Sequence, residues 1–111
     1  MIPQNARYAV IFSSIPGDTD DDYYATDARL EELAQTVPGF VGIENARGED
    51  GFGITVSYWE SLEAIDRWRR EAAHVEAKKK GRAKWYKDYQ IHITRIEQSR
   101  ALSGEWGKPK G

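Results

Sequence analysis

The chain has 111 residues, with Lys plus Arg 16, Asp plus Glu 18 and a formal charge of -2 at pH 7. That length suits one hydrophobic core, and 40% hydrophobic with 31% charged residues indicates a soluble folded domain and not a disordered chain. The lack of cysteine excludes disulfides, thiolate metal sites, iron–sulfur clusters and cysteine nucleophiles, while the near-neutral charge argues against nucleic acid as a partner.

Residues 1–6 read as an arm. Arg7–Ser13 is rich in β-formers and predicts a first strand, and Ser14–Gly17, holding Pro16 and Gly17, predicts a loop. The acidic run Asp18–Asp22 suits a helix start, where carboxylates meet free N–H groups, or else a cation site. Tyr23, Thr26, Leu30, Leu33 and Val37 recur at steps of three and four, giving an amphipathic helix that ends before Pro38-Gly39.

Phe40–Asn45 and Phe52–Trp59 read as strands, joined by a turn at Arg47–Gly51 with two glycines: a hairpin. Ser61 is a good helix cap, and Leu62, Ile65, Trp68, Ala72 and Val75 form the stripe of a second helix running towards Lys80, with Gly81 a plausible stop. Tyr86–Glu97 reads as the last strand, and residues 98–111 as a tail with Trp106 as its one candidate anchor.

The order β-α-β-β-α-β predicts an α+β, ferredoxin-like domain over residues 7–97, with two helices on one face of a four-stranded antiparallel sheet. Two helices cover one face only. The simplest cover for the other is a second copy, so a homodimer packed sheet against sheet is expected. No apolar run reaches the roughly 18 residues that span a bilayer, and the N-terminus has no signal-peptide pattern, so no membrane and a cytoplasmic location are expected.

The segment Ser57-Tyr-Trp-Glu-Ser-Leu-Glu-Ala-Ile-Asp-Arg-Trp68 resembles the strand-end and helix-start signature of the antibiotic biosynthesis monooxygenase family. That signature has a Trp closing a strand, a Ser cap, an Ala and a second Trp nine residues after the first. The runs Phe52–Trp59, His74–Arg82, Trp85-Tyr86 and Tyr89 are similar to a bacterial branch of that family. The resemblance implies a dimeric α+β barrel and, in some members, cofactor-free oxidation of polycyclic phenols to quinones. Others degrade haem, with an Asn in strand one and a His ten residues after the second Trp. Here strand one, Tyr8–Phe12, has no Asn, and Lys78 stands ten residues after Trp68, so only Trp68 carries over.

A cofactor-free oxygenase must take a proton from a phenol, hold a flat ring in a dry aromatic pocket and stabilise developing charge. His74 is the candidate base, although it sits off the apolar stripe and reaches a pocket only if the helix bends after Ala72; otherwise it faces solvent or a partner. Trp68 and Trp59 are candidate walls, or core and helix-start packing. Tyr58 and Tyr89 could donate to a ligand oxygen or to ordinary partners. His92, out of phase with Ile91 and Ile93, suits a pocket or the dimer layer. The basic stretch Lys78–Lys84 suits a solvated face or an anion site.

The expected function is therefore a monooxygenase without cofactor, acting on an aromatic or phenolic small molecule. The alternatives are a non-catalytic dimeric module for hydrophobic ligands or stress response, and a haem-binding relative without the degrading triad. No metal site is expected.

Overall fold

A computed structural model describes residues 2, 5–17, 21–77 and 86–101. Within them the elements are β1 (Tyr8–Pro16), α1 (Asp21–Thr36), β2 (Phe40–Arg47), β3 (Gly53–Trp59), α2 (Leu62–Ala77) and β4 (Tyr86–Arg95). The expectations placed on Asp18–Asp20, on the basic run from Lys78, on Gly81, on Trp85 and on Trp106 lie outside the described residues.

The four strands form one antiparallel sheet in the order β2-β3-β1-β4, the ferredoxin-like arrangement. β1 is longer than its sequence suggests. Ser14 to Pro16 continue as strand because β4 pairs with them, Ser14 with Tyr89 and Ile15 with Asp88. Pro16 is tolerated because the register shifts there and the pairing with β3 has already ended at Ser14. β2 likewise runs on to Arg47, and the last strand stops at Arg95, short of Glu97.

Local chemistry ends each element. Gly39 takes φ 98 just after α1, a left-handed value that costs a glycine little. The hairpin turn closes through Gly48 N–H donating to Phe52 O at 2.8 Å and Phe52 N–H to Asp50 Oδ1 at 3.0 Å, with Gly51 at φ 89. Ser61 caps α2: its Oγ accepts from the N–H of Ala64 at 3.1 Å.

Both helices pack on one face. The core there joins Val10, Ala34, Val37, Trp59, Ala64 and Ile65, with Tyr8, Phe40 and Trp68 packed against it. The described helices touch β2 and β3 more than β4. The helix-side residues of β4 stay open in consequence: Tyr89 is 56% exposed, Ile91 45% and Ile93 40%. Strand alternation sends Ile11, Ser13, Ile15, Ile54, Val56 and Tyr58 to the opposite, helix-free face. Ile2 of the N-terminal arm lies against Gly42 on that face, and a Cβ at Gly42 would meet its Cδ1 at 2.6 Å.

Candidate functional site

The helix side of the sheet carries two groups of aromatic rings. Trp59 is wholly buried, with Phe40 edge-on at 5.3 Å and Trp68 tilted at 5.7 Å between centroids. Its indole N–H donates to Ser57 Oγ at 2.8 Å, so its polar end is satisfied inside the core. Trp68 projects from α2, and its indole N–H reaches Leu30 O at 3.5 Å. The second group runs from α1 to β4: Tyr23 stands edge-on to Tyr86 at 5.9 Å, and Phe12 lies 5.5 Å from Tyr86 and 5.7 Å from Tyr89.

A cation adjoins the second group. The Arg47 guanidinium donates to Gly51 O at 2.6 Å and to the Tyr23 hydroxyl at 3.2 Å. One turn along α1 from Tyr23, the Thr26 hydroxyl is buried without a hydrogen-bond partner. Such a group costs about 1–3 kcal/mol if it stays unpaired. Asp27 is exposed as a residue, but partial desolvation raises its carboxyl above its ordinary value, and the positive charge of Arg47 opposes that rise.

The six residues singled out from the sequence do not share one space within the chain. Trp59, Trp68 and Tyr89 belong to the helix side. Tyr58 and His92 lie on the helix-free face, since Tyr58 pairs with Ala9, and His92 with Ile11. Tyr58 is therefore not a wall beneath the helices. Its hydroxyl donates to Glu44 Oε1 at 2.9 Å, and burial together with that bond pushes its pKa up. His92 Nε2 lies 3.4 Å from Gln90 Oε1.

α2 is assigned as one helix from Leu62 to Ala77. His74 is exposed, half a helical turn round from Ile65. An open pocket of about 230 Å³ lies where β1 meets β4, lined by Ser13, Ile15, Phe52, Asp88 and Gln90 among others, and His74 is not in its lining. Both histidines of the chain thus sit away from the helix–sheet interior, and within one chain that interior offers haem no imidazole ligand. Among the described residues no group of three or more His, Asp and Glu is placed to hold a metal ion.

Sequence reading passed over Arg47, Thr26 and Asp27 as site residues. Arg47 sits next to a glycine turn and reads as loop; only the strand pairing reveals which face it occupies.

Residues 7–80 match the family model for antibiotic biosynthesis monooxygenase. The chain belongs to this family. The uncharacterised protein YqjZ of Bacillus subtilis is 45% identical over 98 residues, covering 88% of this chain and 86% of that protein. The jasmonate monooxygenase of Pyricularia oryzae is 32% identical over 97 residues; the match covers 83% of this chain and 44% of that longer protein.

Solved structures share the fold. SnoaB, a cofactor-independent oxygenase from Streptomyces nogalater, superposes with a TM-score of 0.60 at 14% identity, covering 85% of this chain and 97% of SnoaB. MhuD, solved with two manganese protoporphyrin IX molecules per active site, gives 0.61 at 16% identity, covering 85% of this chain and 99% of MhuD. No helix among the described residues of this family member is long and apolar enough to cross a membrane.

Proposed function

We propose that this chain is a cofactor-independent monooxygenase of aromatic, phenol-type small molecules, working in the cytoplasm as a homodimer joined through the helix-free sheet face. The observation that carries the reading is the cluster of aromatic rings on the helix side. Phe12, Tyr86 and Tyr89 lie beside a strand whose apolar side chains no described helix covers. Flat rings pack well against such walls. The family membership and the likeness to SnoaB support the reaction class.

The chemistry asks for a proton acceptor and a dry, polarised site. The substrate hydroxyl loses its proton, the electron-rich anion passes one electron to dioxygen, and the two radicals combine into a peroxide. Loss of water then leaves a quinone that keeps one oxygen atom, so dioxygen supplies the whole oxidising equivalent. For His74 to accept the proton, the substrate hydroxyl must reach the outward face of α2. His74→Ala decides that assignment: a large loss of rate supports His74 as base, and an unchanged rate removes it.

The dimer reading draws on the apolar side chains of the helix-free face, where Ile15 is 43% and Ile54 39% exposed. The test of function is oxygen uptake by the pure protein with a panel of anthrone- and quinol-like substrates. Uptake above the buffer rate supports the enzyme. Binding of the same compounds without uptake supports instead a non-catalytic module for hydrophobic ligands.

A further inference from the structure

We propose that Arg47 is the anion-recognising residue of the helix-side site: its guanidinium, backed by the Tyr23 hydroxyl, holds a carboxylate or phenolate oxygen of a ligand whose ring lies along Phe12, Tyr86 and Tyr89. The inference rests on the aromatic small-molecule reading above and adds the ligand's charge.

The strand register carries it first. Arg47 pairs with Gly53, Gly53 with Ser14, and Ser14 with Tyr89, so these four positions form one row across the helix side of the sheet. Gly53 has no side chain, and the guanidinium fills the space above it. A Cβ there would come within 3.0 Å of Arg47 Cζ and 3.1 Å of both terminal nitrogens. The cation, on an exposed residue of the edge strand, thus lies over Gly53 of β3.

It is also fixed and only partly used. Gly51 O and the Tyr23 hydroxyl accept two of its five N–H groups. No ion pair of the described residues involves Arg47, and the nearby Asp27 carboxyl feels its charge without forming one. A guanidinium held in one orientation with donors to spare suits an oxygen anion. Thr26, a residue 3% exposed with an unpartnered hydroxyl, stands on the same stripe of α1 as Tyr23 and adds a further polar group under that helix. The rings that would take the apolar part of the ligand begin at Tyr23 itself, through Tyr86 to Phe12.

The test compares 2-naphthoate with its neutral isostere 2-naphthamide. Binding is followed by two-dimensional NMR, including the Arg47 side-chain Nε–H resonance. The expected result is naphthoate binding about tenfold or more tighter than the amide, with the Arg47 resonance shifting for naphthoate alone. Arg47→Met abolishes that preference and leaves amide binding in place. Gly53→Ala keeps the charge but displaces the guanidinium, and weakens naphthoate selectively. Should Arg47→Met fail to fold, the wild-type resonance and Gly53→Ala carry the test. Equal affinity for the two compounds, or a preference that survives both substitutions, overturns the role of Arg47 and leaves the aromatic small-molecule reading standing. If neither compound binds, the aromatic reading falls, and this inference with it.

Discussion

Gly39→Ala is a sharp test of how the two helices are held together. Gly39 has φ 98, and a Cβ built there would lie 2.7 Å from the Cβ of Ala64 in the first turn of α2. Two separate costs follow. The left-handed backbone penalises a side chain by roughly 1–2 kcal/mol. Forcing two carbons well inside contact distance in a packed site adds about 1–3 kcal/mol. Ala64 is buried, and its neighbours Ala34, Val37 and Ile65 belong to the same core, so little slack exists to absorb the clash. The loss is large against the roughly 5–15 kcal/mol that holds a domain of this kind. Ala64→Gly by itself should cost about 1 kcal/mol in helix propensity, yet in the Gly39→Ala background it removes the clash and leaves the backbone cost. Urea unfolding of the four proteins, followed by circular dichroism, measures the coupling. The double variant should be more stable than the sum of the single losses by about 1–3 kcal/mol. Additive losses would refute the close approach of the α1 exit to the start of α2.

Trp59→Ala removes a wholly buried indole and leaves Ser57 Oγ without its donor; a loss of about 3–5 kcal/mol is expected in the same unfolding assay. Partial desolvation raises the folded-state pKa of the exposed Asp27, so its contribution to stability, small because solvent screens it, is full at low pH and is lost as pH rises through the raised value. Thermal unfolding of Asp27→Asn between about pH 4 and pH 7 should therefore show the variant gaining on the wild type as pH rises, and a constant gap would contradict this. Arg47→Met removes the charge that opposes the shift and should move that transition to still higher pH. If the proposed sheet-to-sheet dimer forms, Val56→Lys, which puts a charge in the middle of the helix-free face, should convert it to a monomer in sedimentation analysis; a wild-type monomer, or a dimer unchanged by the substitution, would refute that contact.

Much of the fold is legible from the pattern of residues. Steps of three and four mark both helices, and Pro38-Gly39 and Ser61 mark where one stops and the next starts. The extension of β1 to Pro16 is not legible, because the partner that holds Ser14 and Ile15 in a strand is β4, more than seventy residues away. The site is less legible than the fold. Within β3, alternation alone separates Tyr58 from Trp59, and within β4 it separates His92 from Tyr89. β2 defeats alternation: its register shifts between Phe40 and Gly42, so Phe40 and Arg47 share the helix side although their spacing in an unbroken strand would put them on opposite faces. The position of Arg47 over Gly53 follows from that shift, and no local residue pattern announces it.

The most direct test of the proposed chemistry is oxygen-isotope labelling with anthrone, whose oxidation by dioxygen gives anthraquinone and water. The purified protein, treated with a chelator and supplied with labelled dioxygen and no added cofactor, should form anthraquinone faster than buffer does, with one labelled oxygen atom in each product molecule. A rate no higher than that of buffer, or a new oxygen drawn from the solvent, would contradict a cofactor-independent monooxygenase.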